Sequence, residues 1–402
     1  MHFFRKLSDL LGINLLNESQ KKLMLVAYIA LLSQVISGSF INTFIFSSGG
    51  SAKAVIFFNI FNLASLTLSS LLQGFLVRRL PTVAVFRIGI ISYMMLYIVI
   101  LLLKDNISGY VWLAGILIGF SGALYYVTAN VIVLSYSDNN PDAQNKYVGT
   151  STVAITLTSI IVPFITGFVI QCLGNTGYYI VFVLSLVLGA LSLVLSFGMP
   201  AVEKTAENPP LIPTLILLTK NKELMYVMYA KFFHGLREGS VGFIFYLMLF
   251  IMSPLEGAVG TFNSTMALIQ SIGFYYITRR LTPQNAMKTL KIFVWAVFLS
   301  SLVFLFEINI YTLVFAGAAA YFFISFGSSS TLFMLSDAIK DNISAGFVLL
   351  EIFFSTGRTL GLLLLFFASG SIRNIGYAMI ILAATQFLCL FLFSKAKKEA
   401  AL

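Results

Sequence analysis

Charge is scarce in this sequence. Only 10% of its 402 residues are Asp, Glu, Lys or Arg, whereas an ordinary soluble domain has about 25%. Hydrophobic residues make up 59% of the chain. A soluble domain of this length could not bury so much apolar surface, so the composition indicates an all-α protein that crosses a membrane many times.

Cysteine and histidine are nearly absent, with two residues each. Cys172 and Cys389 both fall in apolar stretches, so neither a disulfide framework nor a metal site is predicted. The Gly-rich loop with Lys-Ser/Thr that holds nucleotide phosphates is also missing. We therefore expect no enzymatic activity, no cofactor and no direct use of ATP, which leaves ion gradients as the energy source.

Apolar segments of the roughly 20 residues that cross a bilayer recur along the whole chain. The predicted spans are residues 22–46, 52–77, 82–104, 109–134, 147–172, 176–199, 223–250, 255–278, 285–305, 309–335, 344–369 and 373–394. They form two predicted bundles, 22–199 and 223–394, on either side of a polar, Pro-rich linker at 200–222.

The two ends of the chain are more polar than the spans. In residues 1–21, helical spacing places Phe and Leu on one face and charged residues on the opposite face, which is typical of a helix lying on the membrane surface. Residues 395–402 form a basic tail. An even number of spans places both ends on one side of the membrane.

The placement of the basic residues predicts which side that is. Most Lys and Arg residues at or near the ends of the spans lie on the side shared by the termini, and only Lys53, Lys104 and Arg373 fall on the other. This asymmetry predicts cytoplasmic termini in a bacterial cell membrane. It also explains the net charge of +10 without a nucleic-acid partner.

Two loop motifs recur about half a chain apart. FLVRRLP (75–81), after the second span, is similar to YITRRLT (276–282), after the eighth. SDNNPD (137–142), after the fourth, is similar to SDAIKD (336–341), after the tenth. Two matches at equivalent positions predict an internal duplication of six helices.

The loop after the second span resembles a motif of the major facilitator superfamily of transporters, Gly-x-Leu-x-Asp-Arg-x-Gly. Gly74, Leu76 and Arg79 match it, whereas Arg78 and Pro81 replace its Asp and second Gly.

Two further segments carry the resemblance, which covers essentially the whole chain. Pro163 and Gly167 correspond to part of the Gly-Pro-x-x-Gly-Gly element of the family's exporters, and STGRTLG (355–361) is similar to its Gly-Arg-x-Leu-Gly segment. The resemblance implies two bundles that rock about a midplane site. It implies gating roles in the loops for Gly74, Arg78, Arg79, Asp138, Arg279, Arg280 and Asp337. It places spans one, four, seven and ten around a central cavity, with Gln34, Tyr125, Tyr126, Asn130, Arg237, Tyr321 and Phe322 as candidate lining residues.

The charges deep inside the spans, at least seven residues from either end, are confined to the seventh and eleventh. They are Lys231, His234, Arg237 and Glu238 in KFFHGLREGSVGF (231–243), and Glu351 and Arg358. Each charge at the bilayer centre costs about 2.5–3.5 kcal/mol, so the groups should face one another or a wet cavity. Residues seven apart share one helix face. This spacing predicts two ion pairs, Lys231 with Glu351 and Glu238 with Arg358, and leaves Arg237 towards the cavity.

Two interpretations of this charge cluster remain open. The pairs could fix the register of two helices. Alternatively, Glu238 or Glu351 takes up a proton during transport, with Arg358 or Arg237 tuning its affinity and His234, one turn before Glu238, sharing the proton.

We predict a monomeric secondary transporter that uses alternating access and a proton gradient to export a moderately hydrophobic or anionic small molecule. Three alternatives stay open: proton-coupled import of a polar nutrient or organic anion, lipid flipping, and a membrane receptor that transports nothing. The expected partners are a small-molecule or lipid substrate, protons and the bilayer.

Overall fold

A computed structural model describes residues 16–137, 141–202, 216, 218–282, 284–339 and 343–399. The predicted surface helix and the linker fall largely outside these ranges, as does Asp138. Within them the chain forms helices joined by short turns, with no strand.

The helices are long and follow one another closely. They are α1 (Glu18–Ser47), α2 (Ala52–Arg79), α3 (Thr82–Leu103), α4 (Val111–Tyr136), α5 (Pro141–Leu173), α6 (Asn175–Ser196), α7 (Lys222–Met252), α8 (Glu256–Thr278), α9 (Ala286–Ser301), α10 (Ile310–Ile339), α11 (Ile343–Ala368), α12 (Ile372–Ala384) and α13 (Gln386–Glu399). Short 3₁₀ segments, Lys104–Gly109 and Leu302–Leu305, follow α3 and α9.

Each predicted span corresponds to helical structure, so the predicted all-α membrane fold is confirmed. In the described ranges, 11 helical segments are long and apolar enough to cross a membrane. The eighth predicted span, α8, is 23 residues long but falls short in hydropathy because it carries Thr261, Asn263, Thr265 and Gln270. The twelfth predicted span is one apolar segment interrupted at Thr385, which separates α12 from α13.

Polar side chains fix where α1 begins. Asn17 accepts a hydrogen bond from the Gln20 backbone N–H at 2.8 Å, and the Gln20 side chain accepts one from the Asn17 N–H at 3.2 Å, which is a capping box. Both side chains also bond beyond their own helix: Asn17 donates to the Tyr136 carbonyl, and Gln20 donates to the Ser137 hydroxyl. These bonds tie the start of α1 to the end of α4.

The helices pack in the same pattern twice. α2 and α3 pack on α4, and α1 packs on α5 and α6; six helices later, α8 and α9 pack on α10, and α7 packs on α11 and α13. This correspondence confirms the predicted pair of pseudo-symmetric six-helix bundles. We call them the first half (α1–α6) and the second half (α7–α13).

The two halves meet through α2 with α11 and α5 with α8. Phe57 lies 6.0 Å from Phe366, and Phe46 lies 5.9 Å from Phe250, measured between ring centroids. These aromatic contacts lie at the ends of the helices away from the chain termini. We call this the distal end of the bundle. Here the apolar cores of both halves merge into one cluster, whereas a second cluster towards the termini contains residues of the second half alone.

Glycines allow the halves to touch at the distal end. A Cβ atom on Gly260 of α8 would stand 2.3 Å from the Pro163 carbonyl oxygen of α5, and one on Gly167 would stand 2.6 Å from the Glu256 carbonyl oxygen. Two hydrogen bonds flank this contact: Gly257 N–H donates to Gln171 Oε1 at 3.0 Å, and the Tyr178 hydroxyl donates to Glu256 Oε1 at 3.1 Å. The distal end is therefore closed by backbone contact between the halves.

Candidate functional site

A cavity of about 390 Å³ lies between the two halves, at mid-length of their helices. Its side chains come from both halves, on α1, α3, α4, α5, α7, α8 and α10. Five of them are tyrosines: Tyr93, Tyr97, Tyr126, Tyr246 and Tyr321. Five more carry an amide or a hydroxyl: Gln34, Ser39, Ser159, Asn263 and Gln270. The volume is in the range of small-molecule sites.

No Asp, Glu, Lys, Arg or His is among the described residues that line this cavity. The polar groups in its wall are phenol and alcohol hydroxyls and carboxamides, each of which both donates and accepts hydrogen bonds. Tyr126 illustrates the mixture: it is 49% exposed although it lies halfway along α4, and its hydroxyl donates to Gln34 Oε1 at 2.7 Å. The cavity therefore offers aromatic faces and neutral hydrogen-bonding groups.

Three of the seven candidate lining residues, Gln34, Tyr126 and Tyr321, lie on this cavity. The Tyr125 side chain is buried on the other side of α4, where its hydroxyl donates to the Ala27 carbonyl at 3.0 Å and its ring stacks on Phe86 at 5.0 Å. Asn130 is exposed one turn beyond Tyr126 on the same face of α4, nearer the chain termini.

The other two candidates lie away from the cavity wall. Phe322 packs on Phe323 and Phe326, because it points about 100° around α10 from Tyr321. Arg237 is buried inside the second half, with its guanidinium carbon 5.6 Å from the Phe293 ring centroid.

The cavity also contains residues that the sequence did not indicate. Asn263, Ala267 and Gln270 bring α8 into its wall, and their helix is the one with too little hydropathy for an ordinary span. The Asn263 amide donates to the Ser39 hydroxyl at 2.7 Å and so bridges the halves at the distal side of the cavity. The low hydropathy of α8 was the sequence signal that could have identified it.

The charge cluster lies in the second half, where α7 and α11 approach each other closely. Two glycines on each helix, four residues apart, make this possible. A Cβ atom on Gly235 would stand 2.3 Å from the Phe354 carbonyl oxygen, and one on Gly361 would stand 1.9 Å from the Leu236 carbonyl oxygen. Gly239 and Gly357 are equally close to the opposite helix. Small residues of this spacing allow two membrane helices to pack backbone against backbone.

Glu238 is the centre of the cluster. Its Oε2 lies 2.8 Å from His234 Nε2, and its Oε1 lies 3.6 Å from an Arg358 nitrogen. Arg358 in turn lies 3.8 Å from Glu351 Oε1, and Glu351 accepts a hydrogen bond from the Ser355 hydroxyl. The Arg358 guanidinium also stacks on the Phe354 ring at 3.9 Å. The structure thus places one arginine between two carboxylates, with the histidine on the far side of one of them.

The predicted pairing of Lys231 with Glu351 is wrong. Its ammonium donates to the Thr331 hydroxyl on α10 at 2.9 Å and lies 5.1 Å from the Phe354 ring centroid. Arg358 occupies the position next to Glu351 instead, because its longer side chain reaches back along α11. Among the described residues, no carboxylate lies within ion-pair distance of Lys231 or Arg237.

The loop residues with expected gating roles lie at the end of the bundle near the termini. Gly74 and Arg79 are in the last turns of α2, and Arg279 and Arg280 follow α8. The two second-half arginines are exposed and lie 4.2 Å above the rings of Tyr275 and Tyr276. The side chains of Arg78 and Asp337 are outside the described part of the structure, so these roles stay a prediction.

The described structure therefore has helices at all the predicted spans, in two similar halves, with a neutral cavity between them and a charge cluster inside the second half.

No protein-family model matches the chain. A protein named YqgE from Bacillus subtilis (strain 168), itself uncharacterised, is 26% identical over 293 residues, which cover 71% of this chain and 66% of the relative. An uncharacterised protein encoded in the sodM 3′ region of Geobacillus stearothermophilus is 24% identical over 183 residues, covering 45% of this chain and 83% of that protein.

Solved structures of other proteins match the fold over nearly the whole chain. A nucleoside transporter, NupG, superposes with a TM-score of 0.71 at 13% identity, covering 95% of this chain and 100% of that one. A bacterial homologue of the iron transporter ferroportin, in an inward-facing state, gives 0.70 at 12% identity over 94% and 98%. A bacterial homologue of the human lysosomal transporter Spinster gives 0.67 at 13% identity over 94% and 96%. The chain thus has the fold of the major facilitator superfamily, and the resemblance drawn from its motifs is confirmed at the level of the fold.

Proposed function

We propose that this protein is a proton-coupled secondary transporter that exports an uncharged small molecule through the cavity between its halves. The observation that carries the proposal is the wall of that cavity, which combines five tyrosines with neutral amides and hydroxyls and has no charged group among its described residues. The proteins that share the fold are transporters, which supports the class of activity. The direction of transport, the coupling ion and the substrate are our inference.

The neutral wall favours an uncharged ligand over the anionic one that the sequence left open. An ion entering the cavity would lose hydration and would meet no opposite charge there, which costs several kcal/mol. A molecule with an aromatic or flat apolar face and a few hydroxyl or amide groups would bind well. Its face would pack on tyrosine rings, and its polar groups would exchange hydrogen bonds with Gln34, Asn263 and Gln270.

The position of the closed end supports alternating access. With the termini in the cytoplasm, as the arginine and lysine distribution predicts, the closed distal end faces outward, and we infer that the cavity opens towards the cytoplasm. An outward-facing form requires the contacts between α5 and α8 and between α2 and α11 to separate while those near the termini form. The ligand would be taken up from the cytoplasm and released on the far side.

Proton coupling is assigned to the charge cluster. Glu238 has two competing partners, His234 and Arg358, and Arg358 has a second carboxylate partner in Glu351. Protonation of Glu238 or Glu351 would release Arg358 to the other carboxylate. The cluster therefore has a deprotonated arrangement, in which both carboxylates share Arg358, and a protonated one, in which Arg358 pairs with a single carboxylate. The side chains of Glu238, Arg358 and Glu351 are 21–27% exposed, so the helix contact does not seal them off completely.

A binding screen followed by a transport assay tests this proposal. Purified protein would be screened by thermal shift against neutral aromatic compounds, organic anions, sugars, amino acids and lipid head groups, with and without Tyr126→Ala. Tyr229→Phe is the matched control, since Tyr229 packs on Phe353 away from the cavity. We expect stabilisation by neutral aromatic compounds that is lost in Tyr126→Ala and kept in Tyr229→Phe.

The hits would then be tested in proteoliposomes with an imposed pH gradient. Transport of a hit compound in the export direction that depends on the pH gradient and is lost in Glu238→Gln supports the full proposal. Hits confined to anions would contradict the uncharged ligand. Stabilisation by lipids alone would favour a flippase, and saturable binding without movement would favour a receptor.

A further inference from the structure

Gln386 holds a central position in the second half. It is the first residue of α13, directly after the interruption at Thr385, and it is fully buried. Its side-chain nitrogen donates to the Phe233 backbone carbonyl on α7 at 2.8 Å. A carbonyl oxygen cannot donate to another carbonyl, so this bond fixes which end of the amide is nitrogen.

The amide oxygen of Gln386 therefore faces His234. Gln386 Oε1 lies 3.3 Å from His234 Nδ1. Because Oε1 only accepts hydrogen bonds, Nδ1 must carry a hydrogen atom. In a neutral imidazole the other nitrogen, Nε2, then has a lone pair and no hydrogen.

That second nitrogen lies close to a carboxylate. His234 Nε2 lies 2.8 Å from Glu238 Oε2, and neither the lone pair of a neutral Nε2 nor an ionised carboxylate can donate. Two acceptors at this distance repel each other. The contact is stable only when one additional proton lies on Nε2 or on Oε2.

We propose that His234 and Glu238 together form a site for one exchangeable proton, and that Gln386 is the positioning residue that creates it by fixing the imidazole tautomer. Loss of the proton would separate the two side chains and leave Glu238 to Arg358, 3.6 Å from its other oxygen. The use of this proton in transport rests on the function proposed above; the site itself does not.

The groups around the site allow a proton to be gained and released. The imidazole lies between the rings of Phe293 and Phe354, with centroids 5.6 and 5.9 Å away. Lys231 and Arg237 lie on the same helix, α7. On α11, Arg358 contacts Glu238 and Glu351 contacts Arg358, and the buried thiol of Cys389 lies on α13. Among these neighbours the Glu351 carboxylate favours the additional proton and the three cations favour its release, so no single charge fixes the state of the pair.

The chain offers a direct experiment, because it contains only two histidines. The full chain carrying His2→Ala would be labelled with ¹⁵N-histidine and reconstituted in lipid, so that every histidine signal comes from His234. We expect a neutral ring at high pH with hydrogen on Nδ1. At low pH we expect either a ring protonated on both nitrogens or an infrared carbonyl band of a protonated carboxyl that disappears in Glu238→Gln.

Variants of Gln386 separate positioning from a structural role. Gln386→Leu removes the acceptor at Nδ1, so we expect the neutral ring to move its hydrogen to Nε2, where Glu238 accepts it. Gln386→Glu restores an acceptor and should restore the Nδ1 hydrogen, even if Gln386→Leu folds poorly. Tyr229→Phe is the control, since Tyr229 is exposed on α7 and its ring packs on Phe353.

A neutral wild-type ring with its hydrogen on Nε2 would overturn the proposal, as would signals unchanged by pH together with no carboxyl band. The experiment needs no substrate. A protein that shows the proton site but moves nothing would refute the transport function and leave the site intact.

Discussion

The Asn263 amide of α8 donates to the Ser39 hydroxyl of α1 across 2.7 Å, and this bond joins the two halves at the wall of the cavity. If the distal end opens as we propose, this bond would break, because the two helices belong to opposite halves. It therefore contributes to the balance between the closed and open forms of that end.

Removing this bond should shift the balance. A hydrogen bond contributes about 1 kcal/mol net, so Asn263→Ala should raise the population with an open distal end about fivefold. The shift would be measured by spin-label distances between Cys172 and a cysteine replacing Glu307, both exposed at that end. Gln270→Ala is the control, since Gln270 lines the same cavity; an equal effect of both variants would mean that the bond is not the cause.

A bulkier residue at the contact between α5 and α8 should have a stronger effect. In Gly260→Ala the new methyl group would stand 2.3 Å from the Pro163 carbonyl oxygen, so the helices must separate. We expect a longer distance between the same two labels. The control is Gly242→Ala on α7, where no atom beyond the adjoining turns of its own helix lies within 4 Å of the added carbon. Unchanged distances in Gly260→Ala would show that the closed end tolerates the methyl group by other movements.

Crowding the contact between α7 and α11 should destabilise the second half itself. The methyl group of Gly361→Ala would stand 1.9 Å from the Leu236 carbonyl oxygen, and overpacking of this kind costs about 1–3 kcal/mol. Thermal unfolding in detergent would show a lower midpoint. Gly242→Ala should leave the midpoint unchanged or raise it, because alanine favours a helix over glycine. Equal midpoints for the two variants would contradict the close approach.

The pairing of Glu238 with Arg358 can be tested by exchange. Glu238→Arg and Arg358→Glu alone each place like charges together and should lower the unfolding temperature. The double exchange should recover much of that loss, with a coupling free energy of about 0.5–3 kcal/mol. A double variant no more stable than the worse single variant would show that these two side chains do not interact.

Much of the fold follows from physical constraints that act locally on the sequence. A span needs a fixed length of apolar residues, so the helices were predictable one at a time, and the recurrence of Arg78-Arg79 as Arg279-Arg280 indicated the duplication. The contact of Glu238 with Arg358 was predictable too. Charges in apolar helices are few, so their possible partners are few.

Beyond Gln34, Tyr126 and Tyr321, the uncharged parts of the site were not predictable in this way. Gln386 carries no charge, so a large insertion cost does not distinguish it from the rest of its span. In our proposal it nevertheless fixes the tautomer of His234. Tyr93, Tyr97 and Tyr246 are three of 18 tyrosines, and helical spacing alone does not separate those that face the cavity from those that face lipid or the core. Lys231 contacts Thr331 because the turn of α10 brings a hydroxyl within reach, which depends on three-dimensional packing.

The neutral wall of the cavity has an electrical consequence. If the ligand has no charge and the coupling ion is a proton, as we propose, every elementary charge that crosses the bilayer in one cycle belongs to a coupled proton. Each such charge exchanges about 2.3 kcal/mol with a potential of 100 mV. The membrane voltage at which net current reverses, measured at known gradients of ligand and pH, would then give the number of protons per ligand directly.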